Sequence, residues 1–493
     1  MAGGMSSIKH LVVVMMENRS FDNFLGWLYG PGDSPSQLIG GNPGDPPFLG
    51  LVPDSFWNPA NASFFQGDPP RKVFATKGTT GPSPYTVPDP NPLEGFNDMT
   101  FQIFGTTNPA PDQHATMLGF LVDYQKRGST NPASIMETYS PGELPVLSGL
   151  ARNYAVSDAW FASAPCETWP NRSFVHTGTS NGQVNNSVYD PFDYDIPTIF
   201  NVLEAAGHTW AVYNPGPFIS LTRLQFPQLY DLKLESHFRS ITDFVEQAKA
   251  GTLPAYSFVE PAFVGIPQGA DDQHPPHDVC LGEQFLLEIY RALAGGKNWE
   301  ETLLVITYDE HGGCPDHVPP PWGAATPDKA SDPGQEGFRF NRFSVRVPLV
   351  LVSPWIQAGT VFRSTTGVPL DHTSILATLR DWLAIPNSLM LGSLRVAAAP
   401  TLDGVLNLTT VRQDKPAISS TCSPSVTRHF ALEPPNPLQL GMAAAMVCKR
   451  AGQTVAEPVV QQVLSTLRSR EDVARFLVKS AHSNDSKKDS HTG

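Results

Sequence analysis

The chain has 493 residues, 40% of them hydrophobic and only 16% charged, which suits one large core or several ordinary ones and argues against a disordered or fibrous protein. Its formal charge is −14 with no long block of Lys or Arg, so a nucleic-acid partner is disfavoured. The 48 Pro and 40 Gly predict long ordered loops hung on a rigid sheet.

Taken in order, the N-terminus runs straight into a strand-like segment from Ile8 to Met16. No charged leader or cleavage site precedes it, so no signal peptide is read and a cytoplasmic protein is the default expectation. Leu11 to Met16 reads as a short buried strand ending on Glu17 and Asn18, with His10 a packed strand residue. The Pro- and Gly-rich stretch 30–95 reads as an excursion from the sheet, because Pro cannot serve a central strand. Its aromatic residues and those just after it (Phe48, Phe56, Trp57, Phe64, Phe65, Phe101 and Phe104) offer apolar faces for transient contact with a lipid surface. Thr168-Trp-Pro-Asn-Arg172 opens a helix that runs through His176, with Thr168 in the N-cap position.

A helix is predicted from Gly282 to Leu293 and a strand from Leu303 to Tyr308, the latter ending on Asp309 and Glu310. A second Pro-rich excursion covers 318–338, followed by a strand from Val347 to Val352 and a helix from Thr373 to Leu383 behind Asp371-His372. Strands alternating with helices predict an α/β fold. Past Pro400 the strand signals fade, which gives a catalytic domain over 1–400 and a C-terminal helical segment over 401–482 packed on it. That segment carries two helices, roughly Pro437 to Lys449 and Pro458 to His482, with an apolar side formed by Val459, Val460, Val463, Leu464 and Leu467. Residues 483–493 read as a disordered tail. No apolar run reaches the roughly 20 residues that span a bilayer. The five cysteines are scattered and odd in number, predicting neither a disulfide framework nor a structural zinc site, with a reducing compartment as the default.

The chemistry sits where the strands stop. Ligands of open parallel sheets bind at the carboxyl ends of strands, so the acids after Met16 and after Tyr308 can meet in one cleft. Three carboxylates there repel unless a cation lies among them, which predicts a divalent metal. Each acidic pair alone reads better as a solvated turn, and their joint occurrence with the Thr168 motif reverses that. A threonine hydroxyl beside such a cation can lose its proton and attack phosphorus, although capping alone would also explain Thr168.

Together the segments ENRSFD (Glu17 to Asp22), TWPNR (Thr168 to Arg172), DEHGGCPDHV (Asp309 to Val318) and Arg346-Val-Pro348 with Ser353-Pro354 resemble the bacterial and plant phosphoesterase family of non-specific phospholipases C and acid phosphatase A type enzymes. The resemblance covers roughly residues 8 to 395. It implies the alkaline phosphatase superfamily fold, a central, mostly parallel sheet with helices on both faces. It also implies that Glu17, Asn18, Asp309 and Glu310 are metal ligands and that Thr168 is both nucleophile and ligand. His274 in His274-Pro-Pro-His277-Asp278 resembles the family's proton donor to the leaving group, with His277 orienting it or capping the next helix. His114 resembles a further active-site histidine. Asn171, Arg172, His277, Asp278, Asp316 and His317 are placed by their motifs on the phosphate, the last two alternatively as loop caps, and Asp371-His372 reads equally as a cap or a site pair. Cys314 reads as a small packed residue. Glu167, beside the nucleophile, adds negative charge that the family pattern does not predict.

The oxygen-rich ligand set favours Ca²⁺, Mg²⁺ or Mn²⁺ and leaves zinc open. The expected activity is a phospholipase C that splits phosphatidylcholine-type lipids into diacylglycerol and a phosphorylated head group through a phosphothreonine. A broad acid phosphatase acting on small phosphate esters is the alternative, and a silent lipid-binding protein is disfavoured by the intact set of site residues.

Overall fold

A computed structural model describes residues 4–80, 83–186, 190–216, 220–265, 269–424 and 432–482. The expected tail, 483–493, lies outside them.

Nine strands form the main sheet: β1 (His10–Met16), β2 (Gln37–Ile39), β3 (Ala155–Ser157), β4 (Trp210–Asn214), β5 (Phe238–Ser240), β6 (Tyr256–Val259), β7 (Thr302–Tyr308), β8 (Leu349–Val352) and β9 (Thr360–Phe362). Their spatial order is β5-β4-β6-β1-β7-β8-β3-β9-β2. All pairings are parallel except the two made by β8, which runs against both neighbours. The fold is therefore mixed α/β around a large, mostly parallel sheet. Every residue of β1 and β7 is buried, as expected where both faces of a sheet are covered. Their unbroken Leu, Val, Ile and Met runs suit that position because no side chain need face water. β1 and β7 are direct neighbours, in a register that pairs Met16 with Tyr308. The two acidic pairs thus leave the sheet side by side.

The helices used below are α1 (Phe21–Leu25), α2 (Phe96–Phe104), α3 (Thr168–Thr177), α4 (Val279–Ala294), α5 (Thr373–Trp382), α6 (Pro437–Ala451), α7 (Glu457–Leu464) and α8 (Arg470–His482). β8 begins two residues later than the sequence predicts, after Pro348, which has no N–H for the ladder. One part of the 30–95 excursion does return to the sheet, since β2 pairs with β9 at the edge. Two helix starts are capped from afar by buried glutamates. The Glu283 carboxylate accepts from the Val146 and Leu147 amides, and the Glu260 carboxylate accepts from those of Leu221 and Thr222. Free N–H groups at helix N-termini explain why an acid is tolerated inside.

Three expectations need correction. The second C-terminal helix is broken between Leu464 and Arg470 into α7 and α8. Of the expected apolar side, Val460 is buried in the same core as the sheet and Leu464 and Leu467 pack against it, while Val459 is exposed; α6 and α8 add Leu438, Met442, Met446, Val473 and Leu477 to that core. Cys280 and Cys422 form a disulfide with Cα atoms 5.8 Å apart, across 142 residues of chain. Spacing could not show this, because the pairing depends on residues near 422 lying against the start of α4. The scatter that suggested reduced thiols therefore holds only for Cys166, Cys314 and Cys448, which are free and buried.

The loop aromatics turn inward or onto one another. Phe56 and Phe104 are buried, and Trp57, Phe64, Phe65 and Phe101 form a chain of edge contacts with centroids 5.4–6.1 Å apart. None of them is among the exposed large hydrophobic residues. No helix of the described residues is long and apolar enough to cross a membrane.

Candidate active site

Residue by residue, the centre is assembled from the ends of β1 and β7 and the start of α3. Asn18 leaves β1 with φ 53°, a left-handed conformation that asparagine tolerates better than most residues. Its backbone amide donates to Asp309 Oδ1 at 2.9 Å, and the same oxygen accepts from the Glu310 amide at 2.8 Å. The turn after Glu310 closes on Gly312 and Gly313, both at positive φ. A side chain at Gly312 would strike the Asn18 carbonyl at 2.4 Å, and one at Gly313 the Leu93 carbonyl at 2.6 Å. The paired glycines therefore let three loops come into contact.

Thr168 is fully buried in the first turn of α3, and its Oγ1 donates within 3.4 Å of both Glu17 Oε2 and Asn18 Oδ1. It is not the cap, because the N-cap position belongs to Glu167 and no side-chain cap bond is made there. The Glu167 carboxylate instead accepts from the Asn186 amide, and burial lifts its pKa to about 7.

Charge in this centre is heavily one-sided. Burial, then Asp309, pushes Glu17 well above the usual carboxylate range, with Arg172 opposing. Burial, then Glu94 and Asp309, does the same to Glu310. Glu94 is raised to about 8 by burial and by Glu167. Arg172 is the cation bonded to the cluster: Nη2 lies 2.7 Å and Nε 2.9 Å from Glu17 Oε1, and Nε lies 3.3 Å from Asp309 Oδ2. The Oε1 atoms of Glu310 and Glu94 are buried without a hydrogen-bond partner. Carboxylate, amide and hydroxyl oxygens are the kinds of donor a hard divalent cation takes, so the chemistry of these residues suits one, with the Arg172 guanidinium now standing between Glu17 and Asp309. Glu17, Asn18, Asp309, Glu310 and Thr168 would hold it.

The other residues singled out by sequence divide differently. His274 is fully buried, its Nδ1 2.6 Å from the Pro275 carbonyl and its Nε2 3.6 Å from Glu94 Oε2 with no hydrogen-bond partner. Burial depresses its pKa to about 3. His277 Nδ1 contacts Asp272 Oδ1 at 2.6 Å, and that oxygen also accepts from the His274 amide, so Asp272 ties the two histidines together.

Several motif residues expected on the phosphate are occupied elsewhere. Arg172 is held through Nε and Nη2 by carboxylates and by the Met15 and Met16 carbonyls, and its buried Nη1 has no hydrogen-bond partner. Asn171 donates to the Ala164 and Cys166 carbonyls and so braces the loop entering α3. Asp278 is the N-cap of α4, accepting from the Cys280 amide. Asp316 and His317 join Asp22 in a set of ligating atoms within 4.8 Å of one another. A guanidinium already fills the cation's place there: Arg346 donates to Asp22 and Asp316 at 2.9 and 3.0 Å. Although burial opposes it, Asp22 lies below its ordinary range because His317 and Arg346 hold its charge, and Asp22 in turn raises His317.

His114 is exposed on the loop after α2 and, among the described residues, makes no hydrogen bond or ion pair with Thr168, Glu17 or Asp309; sequence spacing could not fix where so long a loop would run. Asp371 accepts from the Thr373 amide at the start of α5 and from Arg395, whereas His372, the N-cap residue, has Nε2 2.6 Å from the Asp309 carbonyl and braces that turn. Cys314 is buried with Sγ 3.9 Å from the Asn18 carbonyl. Sequence reasoning missed Glu94 and Asp272. Glu94 stands just before α2 in a Pro-rich run, where an acid reads as helix-start charge, and Asp272 lies in a loop with no spacing signal.

Two buried histidines give a pH prediction. His274 and His311 are each held to about pKa 3 by burial, against an ordinary 6.5. Unfolding therefore takes up their protons below pH 6.5. The stability they contribute is present above 6.5 and is lost as pH falls toward 3, at about 1.4 kcal/mol per pH unit for each. Urea midpoints measured from pH 7 to 4 are expected to fall, and His311→Gln is expected to flatten that slope. An unchanged slope in the variant would show that His311 is not the proton acceptor.

The family model described as Phosphoesterase family matches residues 8–386. Non-specific phospholipase C5 of Arabidopsis thaliana is 35% identical over 427 residues, covering 83% of this chain and 76% of that protein. Non-specific phospholipase C4 of the same plant is 35% identical over 434 residues, 85% and 76% of the two chains. Phospholipase C B of Mycobacterium tuberculosis (strain ATCC 25618 / H37Rv) is 27% identical over 417 residues, 78% and 75%. Among solved structures, a protein in the alkaline phosphatase superfamily from Vibrio parahaemolyticus aligns with 52% of this chain and 64% of its own at 13% identity and TM-score 0.31.

Proposed function

The chain belongs to the phosphoesterase family and is a phosphoric ester hydrolase, and from that premise we propose that it is a phospholipase C that cuts glycerophospholipids of the phosphatidylcholine type on the glycerol side of the phosphate. The observation that carries the reading is the Thr168 hydroxyl, buried in the first helical turn beside Glu17 Oε2 and Asn18 Oδ1 and not used as a cap. A hydroxyl so placed is available as a nucleophile.

When bound by Glu17, Asn18, Asp309, Glu310 and Thr168, a divalent cation, Ca²⁺, Mg²⁺ or Mn²⁺ by its oxygen donors, would supply the positive charge that favours an ionised Thr168 and a crowded phosphate. The chain's own groups do the rest. Thr168 Oγ1 attacks phosphorus, the bond to the glycerol oxygen breaks, and the phosphorylated head group is left on Thr168. Burial keeps His274 neutral with Nε2 open, so it first accepts a proton, the one Thr168 gives up, and then delivers it to the departing glycerol oxygen. In the second half, a water loses a proton to the same nitrogen and releases the head-group phosphate, and Thr168 recovers its hydrogen. Arg172 holds Glu17 and Asp309 in register throughout.

A direct competition tests this. The purified protein is offered phosphatidylcholine, p-nitrophenylphosphorylcholine and p-nitrophenyl phosphate, each with and without chelator. Diester turnover is expected to exceed monoester turnover at least about tenfold and to be abolished by chelator. Faster turnover of p-nitrophenyl phosphate would instead make the protein a phosphomonoesterase working with the same centre.

A further inference from the structure

Glu94 belongs to none of the motifs that mark the site, yet it enters it. It is 4% exposed, and its Oε2 accepts from Asn18 Nδ2 at 2.6 Å and lies 3.6 Å from His274 Nε2. Its other oxygen has no hydrogen-bond partner. An amide side chain can be turned either way about its last bond, and its oxygen and nitrogen are nearly the same size, so packing alone does not decide which faces Thr168. With the Asn18 nitrogen turned to Glu94, Oδ1 faces Thr168 Oγ1, 3.4 Å away. The same carboxylate oxygen is the neighbour of the open nitrogen of His274.

We propose that Glu94 is a positioning residue: its carboxylate fixes the Asn18 amide with the oxygen toward Thr168 and the cation. The inference rests on the reading of Thr168 as nucleophile and Asn18 as ligand. Gly313, which admits the Leu93 carbonyl, and Gln102, which donates to that carbonyl at 2.8 Å, hold the Glu94 loop in place.

Three variants, Glu94→Ala, Glu94→Gln and Thr168→Ala, are compared with wild type on p-nitrophenylphosphorylcholine. In parallel, Ca²⁺, Mg²⁺, Mn²⁺ and Zn²⁺ are each added alone to chelator-treated wild type, and the ion giving the largest rise in Tm is titrated into every variant. Glu94→Ala is expected to lose about 10- to 100-fold in kcat with little change in KM, and to need about tenfold more of that ion for half the Tm rise. Glu94→Gln keeps an oxygen that can accept from Asn18 and is expected to recover most of both losses. The proposal is overturned if Glu94→Gln is as impaired as Glu94→Ala, since charge and not orientation would then be the contribution. It is equally overturned if Glu94→Ala keeps wild-type kcat and ion response. Thr168→Ala separates the premise from the inference. If that variant stays active, the nucleophile reading fails. If it is inactive while Glu94→Ala is unimpaired, only the positioning role fails.

Discussion

Thr168→Ala is expected to lower turnover by roughly 10³-fold or more while leaving the protein folded. The side chain is fully buried, but among the described residues its hydroxyl makes two long hydrogen bonds, at 3.4 Å, and caps nothing, so its loss removes little that holds α3 in place. The cost in stability should stay near about 1 kcal/mol. What disappears is the attacking oxygen. Thr168→Ser keeps a hydroxyl in nearly the same position and is expected to retain measurable turnover. Wild-type protein quenched in turnover should carry the head-group phosphate on Thr168. Kinetics on p-nitrophenylphosphorylcholine and mass spectrometry of the quenched peptide check both statements. Substantial turnover by a folded Thr168→Ala protein that still binds its cation would mean that water attacks phosphorus directly.

Arg172→Leu has the largest effect expected on stability. The guanidinium is buried, donates to Glu17, Asp309 and the Met15 and Met16 carbonyls, and lies over the Phe263 ring at 4.8 Å. Burial works against its charge, but Glu17 and Asp309 hold its pKa above the ordinary arginine value. Removing one partner of a buried pair leaves the other charge uncompensated, a loss of about 3 to 5 kcal/mol. Urea unfolding in chelator is expected to show that loss, and an added divalent cation to restore part of it. A change below about 1 kcal/mol in chelator would show that Arg172 is not the counter-charge of Glu17 and Asp309.

Much of the centre was legible because it depends on short-range pattern. β1 and β7 are apolar runs too short for helices, and each ends in an acid pair, so the strand type and the location of Glu17, Asn18, Asp309 and Glu310 follow from local chemistry. That the two strands are neighbours was an inference from how parallel sheets bind ligands, and the register pairing Met16 with Tyr308 agrees with it. The roles of polar side chains were far less legible. Arg172, Asn171, Asp278, Asp316 and His317 all lie in recognisable motifs, and in the fold each is spent on an ion pair, a carbonyl or a cap. A motif records which residue types stand together, whereas their hydrogen bonds are shared out only once every buried polar group must find a partner.

The sequence by itself determined the α/β class, the strand ends that carry the acids, the threonine at a helix start and the helical character of the C-terminal segment. All of these follow from periodicity and from backbone rules acting over a few residues. Tertiary structure alone decided that Glu94 enters the site, that Asp272 joins His274 to His277, that His114 stays outside, and that Cys280 pairs with Cys422. Each of those depends on where a long loop is laid down against a distant element. Loop closure grows only slowly more costly with length, so nothing local dictates the path, and the burial of polar groups at the end of it does.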